Sequence, residues 1–382
     1  MKNKEKKYVF TDEVKTLDNG VVLHRIKAIK SFGDVKEGEL GGWIEHENNL
    51  SHHLTCWVYD NAMVYGNAKV WYNAKVCENA VVHDKAFICD DALICGNAHV
   101  YNSASVYQKA SVFADAKVYN NAQIYGRANI YGYAQVYDEA RVWDNAKAAG
   151  NARIYNNAKV YENALITDNS SIHGWCRVHG KIRVKGTVEI YYKANVYSDE
   201  CILDGNAIIK TDKDYIVFKN WWSSGRYFIW TRSNNKWCVG CFYGTGDELI
   251  KKAYDDSEQK GREYERVVKY VENMLSDSHL IEDAQNSLQQ LDKSNISVKE
   301  IDNLLDILSQ QIISYNEDST DDSYTGVVDA LLNIRLEAKR NNDWKISDMI
   351  RTSLIELGFI IKDTPDGFEW TLQNGKNESY NN

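Results

Sequence analysis

"VYDNAMVYGNAKVWYNAKV", residues 58–76, returns to itself every sixth residue. Let the unit be V-Y-x-N-A-x, with places numbered one to six. Place one recurs from Val58 through Val64, Val70 and Val76 to Ile208 without an insertion, and only Ala148 departs from Val or Ile. Place five is Ala without a break from Ala62 to Ala164, then drifts through Ser170, Cys176, Ile182 and Val188. A helix with about 3.6 residues per turn cannot keep a six-residue register on one face. Short extended segments joined by tight corners can: the β-branched place one fills a core, and the small place five lets the corner approach it. Asn recurs at place four (Asn61, Asn67, Asn73, Asn79, Asn97, Asn121, Asn145, Asn151, Asn157, Asn163). Asn and Gly tolerate positive φ at little cost, so place four is expected to form the corners. A period this short and regular marks a solenoid.

An aliphatic residue followed four places later by a small one resembles the hexapeptide-repeat family, over about residues 40–210. The resemblance implies a three-sided left-handed parallel β-helix; the hand comes from the family, since ordinary β crossovers are right-handed. The expected fold is mainly β with an α C-terminal part. A β-helix capped at both ends is followed by a helical region and a small helical-hairpin module. The expected domains are an N-terminal cap at 1–57, the β-helix at 58–210, a β cap at 211–246, a helical segment and linker at 247–318, and the module at 319–382. Coils stacked at about 4.8 Å make a rod roughly 42 Å tall, whose bare ends need covers. "GDVKEGELGGWIE", residues 33–45, reads as an entry coil with glycine turns, and Trp43 and Trp57 are expected to plug the core. Beyond Ile208, two aromatic strands flank the Ser233-Asn234-Asn235 turn and are expected to close the other end. This cap, joined to such coils, resembles a region of phage and prophage proteins. Thr245 with Glu248 matches a capping box and predicts a helix start. Helical sequence runs to about residue 314, with a second start at Ser297 and Glu300, and "NEDSTDDSY", residues 316–324, reads as a linker.

Place two follows the buried place one and should point outward. Sorted by side, it gives three ladders. One starts at Tyr59, Cys77 and Cys95 and ends at Leu203. The second runs Tyr65, His83, Tyr101, Tyr119, Tyr137, Tyr155, His173, Tyr191, Ile209. The third runs Trp71, Cys89, Tyr107, Tyr125, Trp143, Tyr161, His179, Tyr197. Place six shares each face, so the third side pairs Arg141 with Trp143, Lys159 with Tyr161, and Arg177 with His179. Stacked aromatics would brace adjacent coils. The same six residues form a candidate interaction strip for a polyanion, for bases or for a protein.

The 382 residues and formal charge of −9 suit a chain of several domains and argue against coating nucleic acid by bulk charge. No run of apolar residues is long enough to span a membrane, so no membrane contact is expected. The eight cysteines show no framework spacing, which suits a reducing cytoplasm. Cys77 and Cys95 read as reduced packing residues, and Cys238 and Cys241 form a single C-x-x-C without a second pair, a poor zinc site. Hexapeptide acyltransferases are the enzyme alternative, with acetyl-CoA as donor and a histidine base. Here the coils run without a loop, and no pocket with an oriented base is legible around His83, His99, His173 or His179. No catalytic residue, metal or cofactor is therefore assigned.

"ALLNIRLEAKRNNDWKISDMIRTSLIELGFIIKDTPDGFEW", residues 330–370, closely resembles the C-terminal region of cysteinyl-tRNA synthetases, over about 326–371. The residues that carry it are Arg335, Ala338, Asp343, Trp344, Ser347, Asp348, Ile350, Arg351, Leu354, Gly358, the run Asp363-Thr364-Pro365-Asp366-Gly367, and Trp370. They read as two helices broken near Asn341-Asn342, the second ended by Gly358, then a tight turn between two short strands. The synthetase signatures H-I-G-H and K-M-S-K-S are absent, so aminoacylation is not implied. In that family the region lies near the anticodon end of the tRNA. The resemblance therefore implies RNA contact at Asp363, Thr364, Pro365, Asp366, Gly367 and Trp370, with Lys339, Arg340 and Arg351 against phosphates. The sequence thus reads as a non-enzymatic interaction protein whose partner is tRNA or a protein. Its flat β-helix faces are also candidates for contact between copies of the chain.

Overall fold

The structure is a computed structural model that describes residues 6–220, 224–290, 301, 305, 308, 325–364 and 367–372. The chain divides into two compact units, residues 1–261 and 262–382, and each is described by itself.

In the first unit each repeat contributes a two-residue strand made of places six and one, as in Met63–Val64 and Lys69–Val70. Each strand pairs in parallel with the equivalent strand one coil on, Met63 with Val81 and Val64 with Val82. The result is a parallel solenoid of about nine turns with three faces. The place-one side chains from Val58 to Val196 and the alanines at place five are buried. β-branched side chains fit this pleated interior, and alanine fits where the backbone turns back over it.

The corners lie one residue earlier than the sequence suggested. Positive φ falls at place three, as at Asp60 (50°), Asp84 (59°) and Asp138 (57°), and not on the asparagines of place four. The side chain at place three solves a local problem, because it accepts the N–H of the corner in the next coil. The Glu78 backbone N–H donates to Asp60 at 3.1 Å, and the Asn102 backbone N–H to Asp84 at 3.1 Å. The place-four amides instead bond along the axis: Asn73 donates to Asp91 at 3.1 Å, Asn97 to Asp115 at 3.0 Å and Asn151 to Asn169 at 3.0 Å.

Three antiparallel or entry strands start the rod: β1 (Tyr8–Thr16), β2 (Val22–Ala28) and β3 (Leu40–Ile44). Trp57 is fully buried, edge-on to Tyr8 and Phe32 at 6.0 and 5.4 Å, and plugs the core as expected. Trp43 does not. Alternation along β3 buries Gly42 and Ile44, so the Trp43 ring turns out and meets the Arg25 guanidinium 5.4 Å from its centre. Gly41 and Gly42 are needed for close approach rather than for turning. A Cβ on Gly41 would lie 2.6 Å from the Trp57 ring, and one on Gly42 would lie 2.5 Å from the Ala62 carbonyl.

The six-residue register fails at the far end. Strands β4 (Arg177–Val184) and β5 (Asn195–Leu203) pair Gly180 with Ser198 but Ile182 with Cys201, so β5 carries one extra residue. Uninterrupted alternation would aim Glu200 into the core; the bulge leaves Asp199 and Glu200 both exposed. Leu203 and Ile209, expected outside, are fully buried, while Ile208 is 38% exposed. A four-stranded antiparallel meander follows: β6 (Tyr215–Lys219), β7 (Tyr227–Thr231), β8 (Lys236–Val239) and β9 (Phe242–Gly244). Ile229 and Cys238 from it join the coil core, so it closes this end. Thr245 and Glu248 form the expected capping box at the head of α1 (Gly246–Asp256), and α2 (Glu258–Gln290) comes next.

In the second unit α3 (Thr325–Arg340) and α4 (Trp344–Glu356) precede the antiparallel pair β10 (Phe359–Thr364) and β11 (Gly367–Leu372). The break falls at Asn341-Asn342, as the sequence suggested. Asp343 caps α4 by accepting from the Ile346 N–H at 3.2 Å, and Gly358, at φ 92°, ends it. Leu331, Leu332, Ile350, Leu354 and Phe359 form its core. The helix start at Ser297 and Glu300 and the linker at 316–324 lie outside the described residues, as do Pro365 and Asp366.

Candidate interaction surfaces

On the solenoid the second ladder is a continuous stack of eight rings, Tyr65, His83, Tyr101, Tyr119, Tyr137, Tyr155, His173 and Tyr191. Successive centres are 4.7 to 5.1 Å apart and the planes within 8° of parallel. The third ladder stacks Tyr107, Tyr125, Trp143, Tyr161 and His179 in the same way and ends on Tyr197, tilted by 34°. Parallel pairing places equivalent side chains one above another, so a repeat with an aromatic at place two must build such a column. Burial in the stack, with the Tyr137 and Tyr101 hydroxyls beside it, pushes the Tyr119 phenol up to about 12.

The strip named from the sequence is brought together. Trp143, Tyr161 and His179 are consecutive rungs, and Arg141, Lys159 and Arg177 pair in register one coil apart on the same face. Histidine–carboxylate pairs that were not legible at the sequence level also form: His173 Nε2 lies 2.9 Å from Glu189 Oε1, and His179 Nδ1 lies 3.6 Å from Glu162 Oε1. His173 is nonetheless sandwiched between Tyr155 and Tyr191, so its faces are closed to a substrate. His173 and His179 lie on different faces, as expected. Among the described residues Cys77 and Cys95 are free thiols, Cys238 is buried and Cys241 exposed. Burial pushes the Cys77 thiol up to about 12.

In the second unit much of the motif is spent on folding. The buried Arg335 donates through both terminal nitrogens to Asp363, at 2.6 and 3.0 Å, and Lys339 donates to the same carboxylate at 2.8 Å. Trp370 donates from its indole nitrogen to Asp329 at 2.7 Å and meets Phe359 edge-on at 5.4 Å. Asp363, Lys339 and Trp370 thus tie the strand pair to α3. Thr364 and Gly367 flank the turn, whose Pro365 and Asp366 are not among the described residues. Arg340 reaches Glu337 at 3.2 Å on the surface. The side chains left open are on α4: Trp344 is 57% exposed, and Lys345, Asp348 and Arg351 are exposed beside it or one and two turns on. Trp344 was singled out by the resemblance but not as a contact residue; its exposure marks it.

The fold and these surfaces define a parallel β-solenoid carrying ordered aromatic columns, in a chain that also holds a compact helical-hairpin module. No protein-family profile matches the chain. Over 67 residues it is 51% identical to the cysteine–tRNA ligase of Bacteroides fragilis, a stretch that makes up 18% of this chain and 14% of that protein. The ligase of Bacteroides thetaiotaomicron is 48% identical over 67 residues, 18% of this chain and 14% of the ligase. That of Phocaeicola vulgatus is 38% identical over 104 residues, 25% of this chain and 21% of the ligase. The chain therefore spans only a small part of the length of these relatives. Among the described residues no helix is long and apolar enough to cross a membrane.

Proposed function

We propose that this protein is a non-enzymatic RNA-binding scaffold whose C-terminal module engages tRNA. The observation that carries the reading is the surface of α4. In a module similar to part of a cysteine–tRNA ligase, Trp344, Lys345 and Arg351 contribute little to the core yet cluster on one helix. An exposed indole offers a face for a base, and the cations offer contacts for phosphates. Trp370 and Asp363, the first candidates from the sequence, are committed to internal bonds and are better read as the supports of that surface. The cap resembling phage and prophage proteins fits a chain that meets a host's translation apparatus. Acyl transfer is the weaker reading, because His83, His173 and His179 each lie between two rings. The test is binding of the full-length protein to bulk tRNA at low salt. Trp344→Ala is expected to weaken binding roughly tenfold with an unchanged Tm, whereas Trp370→Ala lowers the Tm. If tRNA does not bind at low ionic strength, the RNA reading fails and a protein partner replaces it.

A further inference from the structure

The inner rings of the ladders cannot stack a base, since each already has a neighbour on both faces and presents only its edge. Two aromatics beside them differ. Trp175 and Tyr192 stand on the corner that leads into the third face, 67% and 61% exposed, where the equivalent places of the coils above hold Asn, Asp, Ser, Lys, Glu or Gly. Tyr192 holds a φ of 62°, a conformation that a bulky side chain adopts only against steric opposition. The Trp175 N–H donates to the Tyr192 carbonyl at 2.7 Å, which sets the two residues in adjacent coils.

Two residues after Trp175 comes Arg177, the foot of the column Arg141, Lys159, Arg177; Lys193 follows Tyr192, with its ammonium 5.9 Å from that ring centre. Like charges directly opposed across strands are unfavourable. Even so, the three column cations make no salt bridge among the described residues. The acids of this corner are turned into the corner ladder. Asp138 accepts from Asn120 and from the backbone and side chain of Asn156, and Glu139 accepts from Asn121. A chain of formal charge −9 therefore keeps a row of cations without a salt-bridge partner among the described residues, next to two exposed aromatic side chains.

We propose that this strip binds single-stranded nucleic acid, with phosphates against Arg141, Lys159, Arg177 and Lys193 and bases stacked on Trp175 and Tyr192. Phosphates relieve the cation column, and bases cover the two rings. A peptide of acidic residues alone would do the first but has no ring for the second. The site belongs to the solenoid and stands apart from the C-terminal reading.

The experiment uses the full-length chain and a fluorescent oligouridylate of about twelve residues, titrated across ionic strength. The wild type is expected to bind at low salt. The triple variant R141Q/K159Q/R177Q is expected to flatten the dependence of log K on log salt by about two units. Trp175→Ala is expected to weaken binding roughly tenfold with the slope kept. Binding that survives Trp344→Ala does not depend on the C-terminal stacking face, and the triple variant and Trp175→Ala are expected to show the same effects in that background. No binding by the wild type at low salt overturns the proposal, as does binding that is lost in Trp344→Ala and kept in the triple variant. If polyglutamate displaces the oligonucleotide and its own binding is indifferent to Trp175→Ala, the strip is a protein-binding surface instead. Thermal melts confirm that each variant is folded.

Discussion

Arg335 is 2% exposed, and the carboxylate it holds, Asp363, sits at the end of a different element. The guanidinium, helped by Lys339 and opposed by partial burial, holds the Asp363 carboxyl well below the usual carboxylate range. In the unfolded chain that carboxyl titrates near pH 3.9. A depressed folded value means the stabilisation is complete above about pH 4 and is lost as the pH falls further. Asp363→Asn should therefore lower the stability of this unit at pH 7, by on the order of 2 kcal/mol given the partly wet carboxylate, and should flatten its acid dependence. Urea midpoints at pH 7 and pH 3 measure both effects. The same scale shows where sequence reading stopped. Trp344 and Trp370 both belong to the ligase-like motif, and nothing local tells which one is open. The deciding partner of Trp370 is Asp329, on α3.

Among the elements, the solenoid was legible because its period is six and its strands are parallel, so one unit predicts the next. The bulge in β5 was not, because Ile202 and Leu203, like Ile208 and Ile209, are adjacent apolar pairs that satisfy either register. What decides is Glu200, which the slipped register keeps in water. Leu203→Ala should cost about 2–4 kcal/mol, and Ile208→Ala less than about 1 kcal/mol, by chemical denaturation. The reverse order, Ile208→Ala costing more than Leu203→Ala, would mean the register runs on unslipped. Ala146, fully buried, is packed on the turning backbone, and Ala146→Leu should destabilise by roughly 1–3 kcal/mol. The corner was misplaced by one residue because asparagine suits both jobs. It tolerates positive φ, and its amide can also bridge coils, and only the backbone shows which use each position makes.

At the scale of the molecule, two cores with no shared members predict two melting transitions in calorimetry. Leu203→Ala should lower one and Asp363→Asn the other; a single transition moved by both would show that the units melt together. The inter-coil bonds carry one more consequence. Above the bulge the stacked rings, corner carboxylates and amides mostly find their partners eighteen residues along the chain. An insertion of six residues would carry all later side chains round to the next side, setting cysteines under tyrosines and breaking each column at the join. Eighteen inserted residues would leave every column unbroken. Such a rod can lengthen or shorten during evolution only by whole coils, in steps of about 4.8 Å, which makes it a ruler graduated by gene duplication.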